Sequence, residues 1–471
     1  MPAPARPNVL FFFTDDQRFD TIHALGNERI VTPTMDALVR CGTAFTRATI
    51  MGGSCPAVCM PSRAMLMTGR TLFHLDAQGQ SIPDEHVLLG ELLRGAGYTT
   101  FGTGKWHNGS DSYARGFSDG AEIFFGGMND HWNVPACRFD PTGRYDCHQP
   151  VVYDFYRSNE VTDRQCDHVT PGKHSSELFC DAAIEFLERR TGDAPFFAYL
   201  SFMAPHDPRT MPREYLEMFP PASVELPPNL LPHHPFDNGA LTVRDELLAA
   251  LPRDPEEMRR HIAEYYAMIT HADAQMGRVL EALHRTGHAD NTIIVFAGDN
   301  GLALGQHGLM GKQSLYEHSI RVPLVFAGPG IPAGVQRDAP CFLLDIYPTL
   351  CELLGLPAPP SVEGRSLVPV MTGAERRVRE TMLYAYEGAQ RAAQDERFKL
   401  IETRVNGLSV TRLFDLDEDP WEMRDLSNDP GYATRVRRLR EALRRWPEEL
   451  GDDQEGLGAA FWAAEACGRI P

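Results

Sequence analysis

Ser54-Cys55-Pro56-Ala57-Val58-Cys59-Met60-Pro61-Ser62-Arg63-Ala64-Met65-Leu66-Met67-Thr68-Gly69-Arg70 is the stretch from which the rest of the chain can be read. Cys59 stands where a loop turns into a helix. Pro61 suits a first helical turn, where its missing N–H costs nothing, and Ala64-Met65-Leu66-Met67 are good helix formers stopped by Gly69. A group at Cys59 is therefore expected to face the positive end of a helix, with unpaired N–H groups aimed at it. Arg63, one turn on, lies on the same helical face. A nucleophile, a helix N-terminus and a fixed cation together suit attack on an anionic ester. Cys55, four residues earlier, lacks Pro and Arg at the same offsets.

Outward from this segment, short apolar runs end in polar clusters. Asn8 to Phe13 is long enough for one central strand, and Asp15 and Asp16 fall at its end. In open α/β sheets ligands collect at the carboxyl ends of strands. Two adjacent carboxylates there repel each other unless a cation or hydrogen bonds compensate. Asn291 to Ala297 delivers Gly298-Asp299-Asn300-Gly301 in the same way, adding hard oxygen donors of the sort Ca²⁺ and Mg²⁺ take. Tyr98 to Phe101 reads as a strand ending in Gly102-Thr103-Gly104-Lys105-Trp106-His107, and Pro195 to Phe202 as one running into Pro205-His206-Asp207-Pro208. Between them the spacing predicts helices over Thr32-Pro33 to Gly42, Asp84 to Ala96, Ser175 to Arg190, Glu256 to Arg285 and Asp345 to Leu354, with another strand over Val322 to Ala327.

Cys59-Met60-Pro61-Ser62-Arg63 with Thr68-Gly69 resembles the Cys-x-Pro-Ser-Arg…Thr-Gly signature of the type I sulfatases, within the alkaline phosphatase superfamily. The Lys105-Trp106-His107 run, Pro205-His206-Asp207-Pro208, Asp299-Asn300, Lys312 and Leu413-Phe414-Asp415-Leu416 extend the resemblance over nearly the whole chain. It is weakest across 110–174 and 210–255. The resemblance implies an α/β fold: a large, mostly parallel sheet sandwiched by helices, with a smaller C-terminal α+β subdomain containing a short antiparallel sheet. It also implies that a formylglycine-generating enzyme oxidises Cys59 to formylglycine, whose hydrate forms a covalent sulfate ester during turnover.

The site residues follow residue by residue. Asp15, Asp16, Asp299 and Asn300 are the implied metal ligands, with calcium the first choice and magnesium the second. Cys59, Arg63, Lys105, His107, His206 and Lys312 form the implied catalytic set, His206 protonating the leaving alcohol and His107 accepting the hydrate's proton. His307 is read as loop support. The implied reaction is hydrolysis of a sulfate monoester, a small molecule or oligosaccharide, to an alcohol and inorganic sulfate. A phosphonate monoester or phosphodiester hydrolase of the same superfamily is the alternative. Asn300 beside Asp299 and the Lys105-Trp106-His107 run lean towards sulfate.

Composition sets the outer bounds. The chain has 471 residues, 43% of them hydrophobic and 23% charged, which suits a globular enzyme of two or three domains. A formal charge of -19 argues against nucleic acid as a partner, but not against an anionic substrate held by local cations. No apolar run reaches membrane-span length, and Val9 to Phe13 reads as a buried strand rather than a signal peptide, so a cytoplasmic chain without a membrane partner is expected. The ten cysteines lack zinc-type spacing and read as reduced core thiols, with Cys137–Cys147 pairing reserved for an exported chain. Residues 110–174 are expected to be poor in helix, with Phe124 to Trp132 either a substrate-facing rim or an ordinary packed insertion. Met211 to Pro255, including His233-His234, reads as a solvated Pro-rich excursion. A change in charge pattern around 373–380 places a boundary between a catalytic domain, 1–375, and a C-terminal subdomain, 376–471. In the latter, Thr381 to Ala385, Phe398 to Glu402 and Val410 to Phe414 read as strands and Arg435 to Trp446 as a helix.

Overall fold

Val9, Phe11 and Phe13 pack into one hydrophobic cluster and Leu10 and Phe12 into another, so the strand Asn8–Thr14 is covered on both faces. Period-two alternation does this when every residue is apolar, and it marks the centre of a parallel sheet. In the computed structural model, which describes residues 6–152, 159–452 and 457–467, that strand is the fifth of eight. The order is Val335–Arg337, Gly42–Phe45, Leu324–Ala327, Thr292–Gly298, Asn8–Thr14, Phe196–Ser201, Thr99–Trp106 and Asp119–Phe125. Only Leu324–Ala327 runs antiparallel to its neighbours.

The Leu10/Phe12 face is covered by the helix Pro255–Arg285, through Met268 and Met276, and by Ser175–Arg189 and Pro33–Cys41. The Val9/Phe11/Phe13 face is covered by Cys59–Thr68, Leu89–Gly95 and Ile346–Leu353, with Met65, Leu66 and Ile346 in the shared core. A second sheet follows, in the order Leu408–Asp415, Phe398–Val405, Gln390–Gln394, Met382–Tyr386 and Gly52–Gly53. It is antiparallel except where Met382–Tyr386 meets Gly52–Gly53, so its last strand comes from the turn just before Cys59. The result is an α/β fold with a mostly parallel sheet between helices and a C-terminal antiparallel sheet. Among the described residues no helix is long and apolar enough to cross a membrane.

Several local expectations need correction. The helix expected over Asp84 to Ala96 is confined to Leu89–Gly95, because Leu88 is extended and Glu91 bends back to accept its N–H at 3.3 Å. Thr32 does not cap the following helix with its side chain; the Asp273 carboxylate, from the long helix, accepts the Thr34 and Met35 N–H groups instead. The 110–174 region holds a helix, Ser110–Gly116, the edge strand Asp119–Phe125, and a hairpin of His148–Val152 with Val161–Gln165. His234 is buried, its Nε2 3.0 Å from the Tyr316 hydroxyl and its Nδ1 donating to the Phe236 carbonyl. Cys137 and Cys147 are free thiols.

The strand begun at Thr99 does not stop at Gly102 but continues to Trp106, which carries Lys105 into the sheet. A bulge between Gly102 and Gly104 makes this possible. Gly104 has φ +86°, and a Cβ there would lie 2.0 Å from the Ser201 carbonyl oxygen. Gly104→Ala is therefore expected to destabilise the protein by about 2–4 kcal/mol, combining left-handed strain with a backbone clash. Thermal or urea unfolding checks this; an unchanged midpoint would mean that the chain does not need the bulge at Gly104.

Candidate active site

Four of the strands end side by side, and backbone bonds tie their ends together. The Asp15 N–H donates to the Ala204 carbonyl and the Asp299 N–H to the Thr14 carbonyl, both at 3.0 Å. Asp16 is left-handed, with φ +63°, a conformation Asp tolerates better than most residues. It is held there because its N–H donates to Asp299 Oδ1 at 2.9 Å and its carbonyl accepts from the Tyr265 hydroxyl. Asp15, Asp16, Asp299 and Asn300 are all fully buried, an arrangement that demands compensation.

Part of the compensation is visible. Lys105 Nζ donates to Asp15 Oδ2 at 2.5 Å, and Lys312 Nζ donates to Asp16 Oδ1. Arg63 reaches Asp299 Oδ2 through Nε at 2.9 Å and Nη2 at 2.8 Å. Burial pushes the Asp15 carboxyl up, but Lys105 and then His206 outweigh it and hold the group below its usual value. Burial, then the charge on Asp15, pushes Asp299 up to about 6. Lys312 is driven well above its normal value: burial disfavours its charge, and Asp16 more than restores it.

Cys59 opens the helix Cys59–Thr68, as expected, and lies 2% exposed against this cluster. Its Sγ is 3.4 Å from His107 Nδ1 and 3.5 Å from Lys105 Nζ. The expectation of open helix amides around it does not hold. The Met60 N–H donates to the Ala57 carbonyl and the Ser62 N–H to Val58, while Pro61 has none to offer. The positive field at Cys59 comes from Lys105 and Lys312 instead, although burial still pushes the thiol up. His107 is driven well below its usual range by burial and then by Lys105 and Arg63, so its ring is neutral. His206 stands across the site, with Nε2 3.7 Å from Asp16 Oδ2. Its Nδ1 is 2.7 Å from the Asp207 carbonyl, which can only accept, so Nδ1 carries a proton.

All ten residues singled out from the sequence thus meet in one network. Others were not anticipated. Tyr265 anchors Asp16 from the long helix, and Arg244 pairs with Asp207 beside His206. Gln313 Nε2 donates to the Pro56 carbonyl at 2.8 Å and to Asp245 Oδ2 at 2.7 Å, tying the Cys59 loop to the wall behind Lys312. Gln313 had one available signal, its place next to Lys312; Tyr265 and Asp245 had none. The 124–132 segment borders the site: a Cβ on Gly127 would lie 2.8 Å from the His107 ring, and His131 Nε2 is 3.1 Å from the His206 carbonyl. His307 stays outside, stacked on Tyr316 at 4.0 Å.

The cluster fits a metal ion. Single ligand atoms of Asp15, Cys59 and Asp299 all lie within 4.8 Å of one another. Asp15 Oδ1 and Asn300 Oδ1 are buried without any hydrogen-bond partner, which polar oxygens inside proteins rarely are. Arg63, Lys105 and Lys312 already balance the three carboxylates, so a divalent ion would leave net positive charge to hold an anion. The oxygen atoms that Asp15, Asp16, Asp299 and Asn300 offer suit a hard cation.

Comparison with known proteins agrees with this geometry. The family model described as Sulfatase matches residues 7–356, and that described as N-sulphoglucosamine sulphohydrolase, C-terminal, matches residues 305–449. An ulvan-active sulfatase of Formosa agariphila is 28% identical over 472 residues, covering 96% of this chain and 83% of that protein. An N-acetylglucosamine-6-O-sulfatase of Bacteroides thetaiotaomicron is 25% identical over 519 residues, covering 95% of this chain and 87% of its own. A solved structure in complex with its substrate D-glucosamine-2-N,6-O-disulfate shares the fold, with a TM-score of 0.74 at 23% identity, 95% of this chain and 99% of that one being covered. With the Cys59 helix, the paired acidic strand ends and a family match spanning most of its length, the chain belongs to the sulfatase family.

Proposed function

We propose that this protein hydrolyses a carbohydrate sulfate monoester to an alcohol and inorganic sulfate. One observation carries the reading: Asp15, Cys59 and Asp299 converge within 4.8 Å, ringed by Lys105, Lys312 and two histidines. The carbohydrate substrate is inferred from relatives named for sugar sulfates, above all the N-acetylglucosamine-6-O-sulfatase.

Asp15, Asp16, Asp299 and Asn300 would hold the ion, calcium first and magnesium second, because an irregular oxygen set suits calcium's flexible coordination. When bound, it supplies Lewis acidity towards a sulfate oxygen. Formylglycine made from Cys59 supplies a hydroxyl nucleophile on its aldehyde hydrate. Lys105 and Lys312 flank the position of that group and neutralise the non-bridging and leaving oxygens of the ester, preorganised charge being commonly the largest catalytic contribution. Arg63 holds Asp299 in place from behind. His107, neutral and 3.4 Å from Cys59 Sγ, is placed to take a proton at Nδ1 from the group that replaces the thiol. His206, fixed by its Nδ1–H to the Asp207 carbonyl, presents Nε2 to the leaving oxygen.

A phosphodiester or phosphonate monoester would meet the same cations, so the test is a paired assay. Matured protein is expected to turn over 6-O-sulfated N-acetylglucosamine or an aryl sulfate with higher kcat/KM than the matching phosphodiester. Preference for the diester would overturn the reading. The tryptic peptide carrying residue 59 should be about 18 Da lighter than encoded, sulfur being replaced by oxygen with loss of two hydrogens, a change distinct from simple thiol oxidation.

A further inference from the structure

A cavity of about 490 Å³ opens at the same end of the sheet but outside the site, and none of the ten site residues lines it. Its volume falls within the range of small-ligand pockets, roughly 300–1,000 Å³. Its walls come from the segment after Asp16, the long helix and the C-terminal part, with the Phe19, Tyr266 and Trp421 rings contributing apolar surface. Arg18 lines it and is 3% exposed. Arg18 Nε and Nη2 bind the Asp20 carboxylate at 2.7 and 3.2 Å and its guanidinium lies 5.5 Å from the centre of the Tyr265 ring, but Nη1 is buried without a hydrogen-bond partner. Arg321 lines it too, its guanidinium 3.9 Å over the Phe19 ring and its Nε donating to the Thr46 carbonyl at 2.7 Å. Its Nη1 lies 3.6 Å from Glu317 Oε2, a carboxylate shared with Lys399, and burial holds Arg321 below its usual value despite that neighbour. The acidic residues of the lining do not fill this need: Asp20 is spent on Arg18, Glu225 pairs with Arg29, and Glu28 is exposed.

We propose that this cavity is a second binding site, for a carboxylate or sulfate carried on a sugar-sized ring. The oxyanion accepts from Arg18 Nη1, and the ring lies among the aromatic walls. An unpartnered buried guanidinium N–H is costly, and a charged acceptor relieves that cost more fully than a neutral one. Gly301, next to the implied ligand Asn300, packs against the back of Arg18: a Cβ there would meet Arg18 Cγ at 3.3 Å and the His318 carbonyl at 2.0 Å.

The test is calorimetric titration of the full-length Cys59→Ala chain, which cannot consume a sulfate ester, with glucuronate, glucose 6-sulfate and glucose. At least one of the two anions is expected to bind, and glucose at least about tenfold more weakly, the scale of one charge-assisted hydrogen bond. Which anion binds tells carboxylate from sulfate. Arg18→Gln should weaken that binding by about tenfold or more. Leu25→Trp, which fills the cavity from its wall, should weaken it as well if Arg18→Gln does not fold. Lys312→Ala should leave glucuronate binding unchanged. The proposal fails if neither anion binds, if glucose binds equally well, if both cavity variants bind normally, or if Lys312→Ala abolishes the signal.

Discussion

Cys59→Ala protein is expected to lose turnover by on the order of 10⁵-fold, as when a covalent nucleophile is removed, while folding normally. Cys59 is 2% exposed but small, and its side chain accepts no bond on which the helix depends. The stability cost should stay near about 1 kcal/mol. The same reasoning predicts that chain whose Cys59 was never converted is almost as inactive. Burial raises that thiol further than Lys105 and Lys312 lower it, so the protonated form dominates at neutral pH and is a poor nucleophile. Activity across preparations should therefore scale with the fraction of peptide showing the mass loss. Substantial activity in Cys59→Ala would reject the covalent scheme.

The second large effect concerns the ion. Dialysis against a strong chelator is expected to reduce activity by on the order of 10³-fold or more, because Lewis-acid charge stabilisation is lost together with the bound anion's main counter-charge. Stability should fall too. A ligand present at about 1,000 times its Kd adds about 4 kcal/mol to the folded state, and that contribution disappears with it. The protein should nevertheless remain folded, since Arg63, Lys105 and Lys312 already pair with Asp299, Asp15 and Asp16. Calcium is expected to restore activity best, and magnesium less well.

Much of this was legible in the sequence because it rests on local signals. The run Asn8 to Phe13 is apolar at every position, so its burial on both faces and the carboxylates at its end can be read without a partner. The same holds for Asp299, at the end of an equally apolar strand, and for Cys59, where Pro61 and Gly69 frame one helix. What escaped depends on partners far away in the chain. Gln390–Gln394 looks too polar for a strand, yet it is entirely buried, Arg391 being matched by Asp452 and Gln390 by the Asn238 carbonyl. The Asp273 cap, the Tyr316 partner of His234 and the Gly104 bulge against Ser201 are likewise tertiary. The helix field at Cys59 was misjudged because Val58 is already helical, and the Ala57 and Val58 carbonyls take two of the amides the sequence suggested were open.

A single divalent ion next to Cys59 would draw on ligands from distant segments of the chain, Asp15 and Asp16 from one and Asp299 and Asn300 from another. Elemental analysis of purified, matured protein alongside its Asp15→Ala and Asp299→Ala variants tests it most directly. One tightly held divalent ion per chain is expected in the parent protein and essentially none in either variant, with all three folded. Full metal content in both variants, or none in an active parent, would contradict it.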